Sequence, residues 1–181
     1  MSSERFEVIF AGVGGMGALT AGQLLAEAAQ AYYPCVTWYP NITTARRNAP
    51  ADCIVIYSKE VIASPLIHRV GAAVIIESSQ LRTFEDRVKP GGLVIVETAG
   101  LKDHVSRRDI TVKKIPGLET ALRLGNSRAA NLLMLGAYIG STNTLPPELI
   151  EEKLEDRFSK NKKVLEINLR AFHEGIRLGH N

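Results

Sequence analysis

Between Phe6 and Ala31 the chain passes from an apolar run, Val8-Ile9-Phe10, through a glycine cluster into a stretch rich in Ala and Leu. The cluster is Gly12, Gly14, Gly15 and Gly17, four glycines within six residues. The apolar run suits a buried strand and the stretch after it suits a helix. Strand, tight turn and helix in that order open a β-α-β type of winding. Glycines let the backbone turn sharply and approach a ligand closely. The helix start then offers unpaired N–H groups and a partial positive charge, which suits phosphate. Gly12, Gly14 and Gly17 satisfy G-x-G-x-x-G. The same pattern also occurs where glycines only let a helix pack tightly on a sheet.

A dinucleotide site of this kind expects an acid at the end of the second strand, about 20 residues on, to hold a ribose hydroxyl. The second strand is expected at residues 35–39, C-V-T-W-Y, and it runs into Tyr39 and Pro40 with no acid in reach. The loop that follows carries Thr43, Thr44, Arg46, Arg47 and Asn48. It is basic and rich in hydroxyls, and it is expected on the same sheet edge as the glycine turn. That favours a phosphate-bearing ligand or an acidic partner surface over NAD. NADP stays open, because an arginine can accept its 2′-phosphate. Two adjacent arginines can also clamp a phosphate bidentately. Gly12, Gly14, Gly15, Met16 and Gly17 are the first candidate site, and Thr43, Thr44, Arg46 and Arg47 the second.

Further strands are expected at 52–57, 72–76, 93–96 and 109–115, the last alternating in polarity like an edge strand. A short helix capped by Ser78 or Ser79 is expected at 79–88, stopped by Lys89-Pro90-Gly91-Gly92. The last third reads as helices at 116–124, 126–139, 148–158 and 160–178. The helix over 126–139 is apolar nearly all round and therefore buried, with Gly136 allowing close packing. Apolar strands alternating with helices make this an α/β chain. The expected fold is a Rossmann-like three-layer sandwich with a mostly parallel sheet and a helical C-terminal third. The long Arg-bearing loop points to one departure from strict winding, such as an antiparallel strand. No linker or repeat divides residues 1–181, so one domain is expected.

Composition narrows the chemistry. The formal net charge is +3 and aromatics make up 6%, with no basic stripe interleaved with aromatics, so nucleic acid is not an expected partner. No apolar run reaches membrane length and the N-terminus has no signal pattern, so a cytoplasmic location is expected. The two cysteines, Cys35 and Cys53, both fall in expected strands as small hydrophobes, and no C-x-x-C is present to hold zinc or an iron–sulfur cluster. The four histidines, His68, His104, His173 and His180, are scattered without metal-ligand spacing. No catalytic residue is assigned. Asn126 is placed to cap its helix, and Arg128 and Asn131, three apart, share a face. This polar set is expected to anchor a loop or meet another subunit.

Several stretches, in this order, carry a resemblance. They are G-V-G-G-M-G-A-L-T-A-G-Q-L-L-A-E-A-A at 12–29, V-T-W-Y-P at 36–40, C-I-V-I-Y-S at 53–58 and I-A-S-P-L-I at 62–67. V-K-P-G-G-L-V-I at 88–95, L-G-N-S-R-A-A-N-L-L-M-L-G at 124–136 and N-L-R-A-F-H-E-G at 168–175 complete the set. With them the chain resembles the gamma subunit of the 2-oxoacid:ferredoxin (acceptor) oxidoreductases over nearly its whole length. Relatives commonly have Gln in place of Met16. Where they often read M-R-G-G before the third strand, this chain has Arg46-Arg47-Asn48-Ala49. Arg47 keeps the arginine and two glycines are lost. The resemblance implies a multi-subunit enzyme that decarboxylates a 2-oxoacid to its acyl-CoA and reduces ferredoxin. It implies alpha, beta and delta partners, thiamine diphosphate on alpha and beta, and iron–sulfur clusters on beta and delta. For this chain it implies no bound cofactor and a packing and coenzyme A-facing role, with the glycine turn facing the CoA side or the partner subunit. A free-standing NADP-binding reductase is the alternative reading.

Overall fold

Alternating burial along the strands places two cores on the two faces of one sheet. The computed structural model describes residues 4–42 and 49–181. Thr43, Thr44, Arg46 and Arg47 lie outside the described residues. The strands are β1 (Arg5–Val13), β2 (Cys35–Ile42), β3 (Pro50–Ser58), β4 (Val70–Ile75), β5 (Val88–Glu97) and β6 (Thr111–Ile115). They form one six-stranded sheet in the order β2-β3-β1-β4-β5-β6. β3 runs antiparallel to both β1 and β2, while β4, β5 and β6 follow β1 in parallel. The sheet is therefore mostly parallel with one inserted antiparallel strand, the kind of departure the long loop pointed to.

The helices are α1 (Ala18–Ala29), α2 (Leu81–Glu85), α3 (Gly117–Arg123), α4 (Ala130–Thr142), α5 (Pro147–Phe158) and α6 (Lys162–His180). Val8, Phe10, Val55, Tyr57 and Val74 point to the face covered by α1, α4, α5 and α6. Ile9, Ala11, Ile54, Ile56 and Ile75 point to the other face, under α2 and the loops carrying Ile62, Ile67, Leu101 and Val105. This is the period-two alternation of a strand buried on both sides. The second layer is thin, because α2 has only five residues. α4 is buried from Ala130 to Gly140, as expected for an all-apolar helix. α6 is amphipathic, with Phe172 buried and Leu165, Leu169 and Ile176 packed against the core.

Three local expectations are corrected. Pro90-Gly91-Gly92 lies inside β5 rather than before it, because the β4–β5 register skips between Val70 and Ala72 and absorbs the extra residues. The helix expected at 79–88 is a single turn at 78–80 followed by α2, because Arg87 and Val88 are drawn into pairing with Val70. Its cap is Glu77, whose carboxylate accepts from the Ser79 N–H at 3.2 Å. Ser78 is buried and donates instead to the Ala99 carbonyl at 2.8 Å. β2 also continues past Pro40 to Ile42, which an edge strand tolerates because one row of its N–H groups faces no partner strand.

Candidate functional site

The carboxyl ends of β1, β4, β5 and β6 share one edge, and the amino end of β3 joins them there. α1 leaves β1 onto one face and α2 leaves β4 onto the other. The β1/β4 boundary is thus the crevice at which open α/β sheets take ligands. The glycine turn forms its wall.

Each candidate in the turn has its own place. Gly12 is buried inside β1, where a Cβ would touch the Cβ atoms of Ala18 and Ile76 at 3.6 and 3.7 Å. It brings α1 close to the sheet and does not reach the surface. Gly14 and Gly15 are exposed, and Met16 and Gly17 are half-buried. The Gly14 N–H donates to the Ala49 carbonyl at 2.9 Å, which ties the turn to the near end of the β2–β3 loop. The Met16 N–H closes the turn on the Val13 carbonyl at 3.1 Å. Gly15 and Gly17 have φ of 95° and 79°, left-handed values that favour glycine. Gly17 is the residue that caps α1, and no side chain caps that end among the described residues. The first-turn N–H groups of α1 and its positive dipole end are therefore available to a ligand.

Two clefts flank the turn. One, of about 270 Å³, is lined by Gly14, Gly15, Gly17, Leu19, Thr20 and Ala51, with no carboxylate. The other, of about 260 Å³, lies between Met16, Ile76 and Leu118 and is bounded by Glu97 and Arg128. Glu97 is buried at the end of β5, and both its oxygens are used. Oε1 accepts from the Ala99 N–H at 2.9 Å and Oε2 from the Leu118 N–H at 2.8 Å, so it fixes the start of α3 against the sheet. Arg128 is exposed at the cleft mouth and has no carboxylate partner among the described residues. Asn126 holds the turn that carries it, its Oδ1 accepting from the Arg128 N–H at 3.1 Å. Asn131, buried in the first turn of α4, donates from Nδ2 to the Gly17 carbonyl at 3.1 Å. Of the polar set at 126–131, Asn131 anchors the glycine turn, one of the two roles expected of the set, and Asn126 caps its own turn. Arg128 and Ser127 lining the same cleft was not foreseen. The signal available was an arginine beside a helix cap, and it needed the fold to join it to residues more than a hundred positions away.

The two cysteines lie on neighbouring strands, Cys35 at the start of β2 and Cys53 within β3. Cys53 is buried under α1, its thiol facing the Ala18 carbonyl at 3.7 Å, and burial pushes its pKa up to about 12. At neutral pH such a thiol stays protonated. Cys35 is half-buried at the start of β2. No group of three His, Cys, Asp or Glu able to hold a metal ion occurs among the described residues. No helix among them is long and apolar enough to cross a membrane.

The profile of the pyruvate ferredoxin/flavodoxin oxidoreductase family matches residues 7–178. The ketoisovalerate oxidoreductase subunit VorA of Methanothermobacter marburgensis is 32% identical over 93% of this chain. The chain spans only 35% of that subunit's length. The pyruvate/ketoisovalerate oxidoreductases common subunit gamma of Pyrococcus furiosus is 32% identical, with 93% of this chain covering 94% of it. Among solved structures, the 2-oxoglutarate:ferredoxin oxidoreductase of Magnetococcus marinus, with 2-oxoglutarate, coenzyme A and succinyl-CoA bound, superposes with a TM-score of 0.88. That match is 23% identical and covers 97% of this chain and 31% of that one, and it shows a shared fold. With one profile running from β1 almost to the end of α6, the chain belongs to the pyruvate ferredoxin/flavodoxin oxidoreductase family.

Proposed function

We propose that this chain is the gamma-type subunit of a multi-subunit 2-oxoacid:ferredoxin oxidoreductase. In this reading the enzyme decarboxylates a 2-oxoacid oxidatively to its acyl-CoA and reduces ferredoxin. The chain works in the cytoplasm, bound to alpha, beta and delta subunits. The observation that carries the reading is the end-to-end match to a free-standing gamma subunit, which covers 94% of that subunit's length. Thiamine diphosphate and iron–sulfur clusters, held by the partners, supply carbanion stabilisation and electron transfer. The acyl acceptor is coenzyme A, and this chain's part is to bind and orient it.

The two clefts divide that task by their chemistry. The cleft beside the α1 N-terminus has no acid and suits the phosphates. Thr43, Thr44, Arg46 and Arg47, which follow β2 in sequence, are the second candidate group for the phosphates by their hydroxyls and positive charge. The cleft between Met16, Ile76 and Leu118 is largely apolar and suits the neutral arm, with Arg128 at its mouth for a further anionic group. The NADP-reductase alternative has less support. β2 ends without the ribose-binding acid, and the family is one of 2-oxoacid oxidoreductases.

The test is an anaerobic pull-down of the tagged chain from its host. The eluate is assayed for thiamine diphosphate, iron–sulfur absorbance and CoA-dependent oxidation of pyruvate, ketoisovalerate and 2-oxoglutarate. Co-elution of larger partners with those cofactors and one of those activities is expected. A chain that elutes alone in a stable form contradicts the proposal.

A further inference from the structure

The bond from Asn131 to Gly17 joins residues 114 apart in sequence and acts on one particular peptide unit. The Gly17 carbonyl belongs to the same planar, trans peptide as the Ala18 N–H. In such a unit the C=O and N–H point in opposite directions. Fixing the carbonyl therefore fixes the N–H that faces outward at the start of α1. The carbonyl already accepts the Ala21 N–H at 3.0 Å, the first bond of the helix. Asn131 adds a second donor at 3.1 Å from a buried position. A buried amide left unpaired bears its full desolvation cost, which favours keeping the bond whether or not a ligand is present. The absence of a side chain at Gly17 makes the bond possible, because a Cβ there would run into the Asn131 amide.

We infer that Asn131 is a positioning residue for coenzyme A. It holds the Gly17–Ala18 peptide so that the first-turn N–H groups of α1 face the acid-free cleft before the ligand arrives. Without the clamp the Ala21 N–H alone holds the Gly17 carbonyl, and at a glycine that single bond leaves the peptide wider movement about its left-handed φ. Ligand binding must then order it, and affinity falls. The inference rests on the reading of the glycine turn as the coenzyme A-facing surface.

The experiment uses the intact complex carrying Asn131→Ala or Asn131→Ser, beside Gly14→Val. For the Asn131 variants the KM for CoA is expected to rise about five- to tenfold, the size of one lost hydrogen bond. The kcat and the KM for the 2-oxoacid stay within twofold, and the serine variant, which keeps a short donor, shows the smaller rise. A merely structural role would lower thermal stability and leave the CoA KM alone. If Gly14→Val raises the CoA KM and neither Asn131 variant does, the positioning role is overturned and the coenzyme A-facing reading stands. If none of the three raises it, that reading falls too. If neither Asn131 variant assembles, the residue is a structural one and the inference is overturned.

Discussion

Gly17 meets two demands that only glycine satisfies together: a left-handed backbone and the close approach of the Asn131 amide. Gly17→Ala should lower stability by about 1–3 kcal/mol, the cost of a non-glycine residue held in that region. A fall in the denaturant midpoint without a change in slope checks it. Gly15 has the same left-handed φ but open space around its Cα, so Gly15→Ala should cost the strain without the clash. The glycine turn and the polar set at 126–131 were both legible as local patterns. That Asn131 bonds to Gly17 was not, because no local pattern names a partner 114 residues away. Nor was Glu77 as the cap of the turn at 78–80. Glu77, Ser78 and Ser79 all carry capping oxygens, and burial of Ser78 beside Ala99 decided between them.

α4 and α6 cross through two pairs of glycines spaced four apart, Gly136 with Gly140 and Gly175 with Gly179. A Cβ at Gly136 would meet the Phe172 carbonyl, and one at Gly175 the Leu133 carbonyl, both well inside van der Waals contact. Backbone cannot swing aside as a side chain can, so Gly175→Ala should force the helices apart and cost about 1–3 kcal/mol. Gly71→Ala is the comparison, since its Cβ would lie at an ordinary 3.5 Å from the Glu7 carbonyl. That change should stay within about 0.5 kcal/mol by the same denaturation measurement. Close packing at Gly136 was readable from an apolar helix carrying a glycine, but its opposite number on α6 was not, because α6 reads as an ordinary amphipathic helix. At the far end of α4 the Tyr138 hydroxyl lies 2.6 Å from that of Tyr57, which is 2.7 Å from Thr144 Oγ1. Burial pushes Tyr138 up from 10.0 to about 12 and Tyr57 well above 10.0. The folded state keeps protons that the unfolded state releases, so this stability is full below pH 10 and lost as pH climbs towards 12. Cys53, raised from 9.0 to about 12, acts in the same direction from a lower starting point. Urea midpoints should therefore fall steadily above about pH 9. Tyr138→Phe should flatten the part of that fall above pH 10.

At the scale of the molecule, the sheet brings together the carboxyl ends of its five like-directed strands, β1, β2, β4, β5 and β6, and the start of α1 on a single edge. The α/β class and the helical last third were legible because long apolar runs and helical spacing are local signals. The thin second layer was not, since which loop covers a sheet face depends on contacts distant in sequence, here residues such as Ile62 and Leu101 over Ile54 and Ile75. The edge position of β6 was readable from its alternation, and the matching position of β2 was hidden by its aromatic and apolar composition. The glycine turn and the start of α1 lie on the edge where the carboxyl ends meet, beside a cleft lined by no carboxylate. The most direct measurement is the CoA dependence of 2-oxoacid oxidation by the complex carrying Gly14→Val, made beside the unaltered complex. Gly14 is exposed in the turn, so its bulkier replacement should leave assembly intact and raise the KM for CoA at least tenfold, about 1.4 kcal/mol of lost binding, with the KM for the 2-oxoacid unchanged. A fully assembled variant complex with an unaltered KM for CoA would contradict the account.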